Sequence, residues 1–581
     1  MKHALLLSDT AVKTNKSLET EKNVDFIWGL RIPMRDGIKL NATVYKPKKT
    51  EPTPAIFTLT PYIGDSYHSR ALYFAQNGYA FALVDCRGRG NSEGEFEPNS
   101  VNEEQDGHDI VEWLAAQPWC DGSVAMWGGS YAGFNQWMTL KAFPPHLKTI
   151  VPAAAAHSGV DFPFFKNITF PYIMQWLTYT SGVTGNNNLF AEQSFWIEKF
   201  REMYLNHRPF KELDQIVGNS SKHFQTWLQH PTQDEYWDRM SLSSLEYDRI
   251  NIPILTITGH YDADQPGAMH YYRQHMQSSS PARDKHYLII GPWDHAGTRT
   301  PNKEFGGLTF GEASLLDMNK LHKEWYDWTL KKGPQPEFLK KRVAYYLMGA
   351  EEWKYSNTLE SISKETMRLY LNSANGQASG VFHSGTMDST LPGTPQPVRW
   401  VYDPLDTRPA ELEHEEIKDY LTDQRYALNL FGNGLVYHSL PFDTDTEITG
   451  YLKFVVWIAL DVPDTDFQVN VSEIMFNGKH ILLAQDFLRA RYHESLRKEK
   501  LITFGEVNRY EFNGFTFFSR RLAKNSRLRL VISSPNSIHI QKNYNNGGMI
   551  AEESGQNARV AHVTLYHDAD HPSCLELPIV K

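Results

Sequence analysis

The fold turns on SVAMWGGSYAGFNQWM, residues 123–138. An apolar run ends at two glycines, presents Ser130, and resumes at once as a helix-like segment. The pattern predicts a buried strand, a sharp turn and a helix. Gly128, Gly129, Ala132 and Gly133 suit such a turn, because small residues tolerate a crowded, strained backbone. The geometry lifts the serine oxygen above the strand's C-terminal end. It also aims the first helical N–H groups at whatever the serine meets.

Outward from this turn the same rhythm repeats. VDFIWGLRIPMRDGIKLNATVYKP reads as an antiparallel hairpin around RDG. AIFTLTPY, YAFALVDCRG and LKTIVPAAAA read as buried strands. SRALYFAQNG, with a C-capping glycine, and NEEQDGHDIVEWLAAQ read as helices. Short apolar strands alternating with amphipathic helices indicate a parallel sheet covered on both faces. The alternation stops from 157 to 245, where FPYIMQWLTYTSGV, FWIEKFREMYL and HFQTWLQH are aromatic and helix-like. It resumes with IPILTITGHYD, a helix near PGAMHYYRQHM, and HYLIIGPWDH. The middle stretch is therefore an insertion over the sheet, a cap. EASLLDMNKLHKEWYDWTL closes the first domain, and KKGPQPE reads as a linker. Beyond 340, segments such as RVAYYLMG, EITGYLKFVVWIAL and SRLRLVISS are β-rich. A sandwich or jelly roll is the natural expectation. The domains so read are 1–156 with 246–335, the cap 157–245, and 340–581.

Composition narrows the function. The 581 residues are 41% hydrophobic and 22% charged, with net charge −10 and no basic block, which argues against nucleic acid or an anionic membrane as partner. Three scattered cysteines, Cys86, Cys120 and Cys574, make no metal or redox motif and fit a reducing compartment. The start MKHALLLSDTAVKTNKS lacks the long apolar core of a secretory signal and reads as cytoplasmic. DTDTE at 443–447 is a solvated acidic loop, and the histidines of HYYRQH lie five apart, off the spacing of a zinc helix. Neither metal nor cofactor is expected.

Taken alone, Ser130 is either a helix N-cap or the nucleophile elbow of an α/β-hydrolase, usually G-x-S-x-G and here a small-residue variant. A nucleophilic serine needs a base and an orienting carboxylate, which in that fold follow in the order acid, then histidine, at later strand ends. LTITGHYDADQ supplies Asp262 and YLIIGPWDHAG supplies His295. Asp264 and Asp294 are rivals for the acid, although Asp294 adjoins His295 too closely to orient its Nδ1. The oxyanion needs the backbone N–H of Tyr131 and a second donor from the loop TLTPYIGDSYHS. Tyr62 is either that donor or a packed aromatic.

TPYIGDS, DCRGRGNSEGEF, GGSYAGF, GHYDADQPGA, GPWDHAG and LLAQDFLRARYHESL together resemble the serine hydrolase family of cocaine esterase, Xaa-Pro dipeptidyl peptidase, glutaryl acylase and α-amino-acid ester hydrolase, in order over nearly the whole chain. The resemblance implies an α/β-hydrolase with an inserted helical cap, followed by an all-β jelly-roll domain. It implies Ser130 as nucleophile, Asp262 as acid, His295 as base, and Tyr62 with the Tyr131 amide as oxyanion hole. The aspartate, arginine and glycines of DCRGRGNSEG are expected to form a tight turn beneath the site. The amino-acid ester hydrolases hold a substrate ammonium in a carboxylate cluster. Asp264 matches one position of it, Gln265 departs from it, and Asp161 is the only acid near the remaining one. Asp264 is otherwise a loop acid or N-cap. Phe164, Phe165, Tyr172, Trp176 and Tyr179 of the cap line a pocket or form its core.

The expected substrate is a small-molecule ester, amide or short peptide. Three readings follow: an esterase or acylase of small to medium acyl groups; an aminopeptidase or amino-acid ester hydrolase that needs a free amine; and a carbohydrate- or partner-binding protein on a hydrolase scaffold, against which the full triad argues. The family's mixed oligomeric habits leave a homodimer open.

Overall fold

The computed structural model describes residues 23–393 and 396–581. The cytoplasmic reading of residues 1–17 falls outside them. A ten-stranded sheet carries the turn at Ser130. Strands β1 (Val24–Pro33) and β2 (Lys39–Pro47) form the expected hairpin. Then follow β3 (Thr53–Thr60), β4 (Ala80–Asp85), β5 (Cys120–Ser130), β6 (Leu147–Ala155), β7 (Ile254–Tyr261) and β8 (His286–Asp294). Their order is β1-β2-β4-β3-β5-β6-β7-β8, parallel from β4 onward.

Helices α1 (His68–Gln76), α2 (Asn102–Ala115) and α3 (Tyr131–Lys141) connect the early strands. Both sheet faces are covered, which is why β3 and β4 are buried at every position. Ile110, Leu114, Trp137 and Leu140 of α2 and α3 pack on one face. Phe74 of α1 packs on the other, with Trp325 and Tyr326 from the closing helix Met318–Lys331.

Between β6 and β7 the chain leaves the sheet. It makes a two-stranded ribbon, Phe164–Phe165 with Ile168–Thr169, turned by Lys166 and Asn167 at positive φ. The helices α4 (Tyr172–Tyr179), α5 (Gln193–Leu205) and α6 (Lys222–Leu228) then build their own core around Trp176, Trp196, Phe200, Phe224 and Trp227.

The structure moves one boundary. RVAYYLMG, placed by its β-rich character in the second domain, forms β9 (Val343–Leu347), which pairs in parallel with β8. β10 (Glu352–Ser356) then closes the first sheet. The linker KKGPQPE does not separate two sheets, because the strand after it finds the open edge of β8.

From Glu365 on, thirteen strands of the described residues form a second, almost wholly antiparallel sheet system around an apolar core that includes Leu371, Trp400, Phe454, Phe467 and Leu530. The two halves are tied by backbone. Met348 N–H donates to Ser519 O at 3.1 Å, and Arg521 N–H donates to Met348 O at 2.9 Å.

Candidate active site

Ser130 ends β5 and caps α3 with φ 60° and ψ −129°, a conformation rare for any side-chain-bearing residue. Its neighbours are small because nothing larger fits. A Cβ on Gly129 would lie 2.5 Å from Arg299 and 3.0 Å from Ala153 O; one on Gly133 would lie 2.9 Å from both Cα and Cβ of Ala155. Gln136 fixes the helix from beneath: its amide donates to Gly128 O and Val151 O and accepts Val151 N–H.

Asp262 lies just past β7 and is buried. Its Oδ2 accepts the Thr258 hydroxyl at 2.8 Å, and its Oδ1 accepts the Asp264 amide at 3.0 Å and faces His295 Nδ1 at 2.8 Å. The rivals stand apart from this contact. Asp294 accepts the Gly297 amide and closes its own turn. Asp264 Oδ2 is 3.6 Å from His295 Nδ1. Burial opposes a charge on His295, but Asp264 and the Asp262 hydrogen bond outweigh it, and its pKa is raised above the ordinary value. No hydrogen bond joins Ser130 Oγ to His295 among the described residues; Ser130 Oγ instead lies 3.2 Å from Tyr62 Oη.

Tyr62 follows β3. Its ring stacks on Tyr179 of α4, with centroids 5.4 Å apart. Trp176 Nε1–H, also from α4, donates to Tyr62 Oη at 3.1 Å. Burial pushes the Tyr62 pKa up to about 12, so the phenol keeps its proton at neutral pH. The loop is held by two residues of DCRGRG. Asp85 accepts Gly64 N–H at 2.6 Å. Arg89, fully buried, donates to Pro61 O at 2.8 Å and to the carbonyls of Tyr179, Ser181, Gly182 and Thr184 past the C-terminal end of α4. A guanidinium there also meets the negative end of the helix dipole. Arg89 thus joins the Tyr62 loop to the cap, a role that a tight turn alone does not describe.

Tyr131 presents only its backbone to Ser130. Its hydroxyl donates to buried Glu103 at 2.5 Å and accepts Asn99 N–H at 2.7 Å. Burial raises the Glu103 pKa to about 7. Nothing in the spacing of α2 pointed to Glu103.

Of the residues expected to touch substrate, two are held by other partners. Asp161 spends Oδ1 on His157 N–H and Oδ2 on Gly267 N–H, so it ties the cap entrance to the helix after β7 (Gln265–Gln277). Phe164 is buried in the cap core against Trp237. Phe165 is half-buried and meets Phe487 of the second half edge-on, and Trp176 stands behind Tyr62. Asp264 differs from both acids beside it. Its side chain is 17% exposed and, among the described residues, its one ion pair is the 3.6 Å contact to His295. Tyr62 and Tyr172 lie within its electrostatic reach. Gln265, the departure from the acidic pattern, is buried. Its amide donates to Gly259 O and Phe517 O and accepts Phe517 N–H at 2.6 Å. A carboxylate there has no N–H for those carbonyls.

Residues 36–297 match the family model of X-Pro dipeptidyl-peptidase (S15 family), and 338–576 match that of the X-Pro dipeptidyl-peptidase C-terminal non-catalytic domain. Cocaine esterase of Rhodococcus sp. (strain MB1 Bresler) is 26% identical over 95% of this chain and 98% of its own. The chain belongs to this family of serine hydrolases, which act on ester or amide bonds. Two solved structures share the fold of the S15-family chain over nearly its whole length. An aminopeptidase from the marine sediment archaeon Thaumarchaeota archaeon has a TM-score of 0.82 at 20% identity, covering 96% of this chain and 97% of its own. An α-amino acid ester hydrolase has a TM-score of 0.81 at 20% identity, covering 99% and 100%. Among the described residues of the S15-family chain, no group of three His, Cys, Asp or Glu gathers as metal ligands, and no helix is long and apolar enough to cross a membrane.

Proposed function

We propose that this chain hydrolyses a small ester or amide through an acyl-enzyme on Ser130. His295 takes the Ser130 proton as Oγ attacks the carbonyl, and Asp262 holds the imidazole tautomer and stabilises its charge. The Tyr62 hydroxyl and the Tyr131 amide receive the oxyanion. The leaving group departs with the His295 proton, and water reverses the sequence. The observation that carries this reading is Ser130 held at φ 60° with the Tyr62 hydroxyl 3.2 Å from its Oγ. In this reading the first sheet is that of an α/β-hydrolase, helices α4 to α6 are its cap, and the second half is a jelly roll walling the cleft. The reading needs no metal, nucleic acid or membrane, and the three free cysteines support a cytoplasmic enzyme.

A second reading has one observation in its favour. Asp264 is a partly exposed acid beside the site whose one ion pair among the described residues is with His295, although Arg299 lies within its electrostatic reach. A substrate ammonium fits that position, as in an aminopeptidase or amino-acid ester hydrolase. With Asp161 and Gln265 both committed to backbone, Asp264 would act alone, so the simple esterase or acylase stands first. One comparison separates the two. Alanyl nitrophenyl ester and nitroanilide are assayed with the amine free and N-acetylated, with Ser130→Ala as blank. Turnover of either ester, abolished to background in Ser130→Ala, is expected; near-native turnover in that variant overturns the assignment. Preference for the free amine that disappears in Asp264→Asn installs the second reading.

A further inference from the structure

In the second half of the chain, far in sequence from Ser130, four strands bring a polar row to one face of the sheet. Thr386 stands opposite His438, His438 opposite Arg529, and Arg529 opposite Ser472. Arg527, two residues before Arg529 on the same strand, stands opposite Ile474 on the same face. A cleft of about 380 Å³ opens over this face. Arg527, Arg529, His438, Ser384, Thr386 and Ser439 line its polar side, and no Asp or Glu lines it. Val381, Leu440, Pro441 and Ile474 form the apolar remainder.

The arginines are unusual for this molecule. The chain carries ten more acidic than basic residues. The other buried guanidinium groups of the second half each meet a carboxylate: Arg489 with Asp466, Arg491 with Asp464, Arg520 with Glu473. Arg529 is 6% exposed yet forms no ion pair among the described residues. Among the described residues its one side-chain hydrogen bond runs from Nε to His438 Nε2 at 2.9 Å, and its Nη1 is buried without a partner there. Burial and the two guanidinium groups push the His438 pKa down to about 4, so the imidazole accepts from Arg529 rather than competing as a cation. Arg527 is exposed and likewise forms no ion pair among the described residues. A buried charge without a counter-charge is expensive, and folding normally supplies one.

We propose that this cleft binds a small oxyanion, a phosphate or a carboxylate group, between Arg527 and Arg529. Planar guanidinium groups match either anion with paired N–H donors, and the hydroxyls of Ser384 and Thr386 supply further ones. The apolar side leaves room for a short hydrocarbon attached to the anion. The site is separate from Ser130 and independent of the reaction assigned there.

Calorimetric titration of the full chain tests it, with sodium phosphate in one arm and sodium acetate in the other, chloride holding ionic strength constant. Saturable binding with Kd on the order of 1 mM is expected in at least one arm. Phosphate alone marks a phosphorylated ligand, acetate alone a carboxylic acid, and both a general oxyanion site. Arg527→Gln, at an exposed position that leaves the fold and ester turnover intact, should weaken binding at least about tenfold. Arg529→Gln should abolish it; if that variant does not fold, Arg527→Gln decides. Absence of saturable binding in both arms, or unchanged affinity in Arg527→Gln, overturns the proposal.

Discussion

Tyr62 has one proton to give, and Trp176 determines where it goes. An indole N–H only donates, so the bond from Trp176 occupies Tyr62 Oη as acceptor and leaves the phenolic proton free for Ser130 Oγ or an oxyanion. Accepting a hydrogen bond also makes the hydroxyl a better donor. Tyr62→Phe should lower kcat about a hundredfold with little change in KM, the usual loss for one oxyanion donor. Trp176→Phe should lower it about three- to tenfold, the worth of one hydrogen bond. The decisive measurement is the double variant: if Trp176 acts through Tyr62, it turns over no more slowly than Tyr62→Phe alone, whereas a packing role makes the losses multiply. His295 gives a second test. In the proposed mechanism it must be neutral to take the serine proton, so kcat/KM should rise as pH passes its pKa. Burial lowers that pKa, but carboxylates at 2.8 and 3.6 Å favour the imidazolium and raise it overall. Asp264→Asn removes one of these charges, so the acid limb of the profile should move to lower pH; an unmoved limb means Asp264 carries no charge there. The placement of Ser130, Asp262 and His295, the triad we propose, was legible in sequence because each sits where a strand ends, and strand ends are readable. The Trp176 bond was not, because it depends on how the cap helix lies over the sheet.

The turn from β5 to α3 is an element whose tolerances follow from its crowding. Gly133 approaches β6 so closely that one added methyl meets backbone rather than a flexible side chain. Gly133→Ala should therefore destabilise the fold by about 1–3 kcal/mol despite the better helix propensity of alanine, as read by urea unfolding. A stabilised variant would mean that α3 moves freely on β6. The family of small residues around Ser130 was visible in SVAMWGGSYAGFNQWM, but the reason for each was not: Gly129 yields to Arg299 and Gly133 to Ala155. Element boundaries failed where pairing, rather than local pattern, decides. β9 has the same β-rich character as the strands after it, and only the open edge of β8 assigns it to the first sheet. The engagement of Asp161 went unread for a related reason. Proximity to the cap entrance was readable, but not the two amides that claim its oxygens.

Across the whole molecule, the motif LLAQDFLRARYHESL joins the second half to the cap. Arg489 and Asp466 face each other directly on neighbouring strands and form a two-pronged pair at 2.8 and 3.0 Å, fully buried. The same guanidinium donates to Asn167 O at 3.0 Å, at the turn of the ribbon that leads into α4. Asn167 in turn donates to Leu496 O, and Thr169 O accepts Gln541 N–H. The ribbon is therefore clamped by the second half, and through α4 the clamp reaches Trp176 and Tyr62. Removing one partner of a buried pair leaves the other charge uncompensated, which costs about 3–5 kcal/mol. Asp466→Ala should lose that much stability. It should also lower kcat on the ester although it lies in neither the proposed triad nor the proposed oxyanion hole, because a loosened ribbon releases α4. Gln265, through its side-chain amide on the Phe517 backbone, and Met348, through its own backbone, bind the same two halves, so unfolding followed by near-ultraviolet circular dichroism and by residual activity should coincide in one transition. Two separated transitions, with activity surviving the first, would mean that the second half is a passive neighbour and that the Arg489 clamp has no reach into the site.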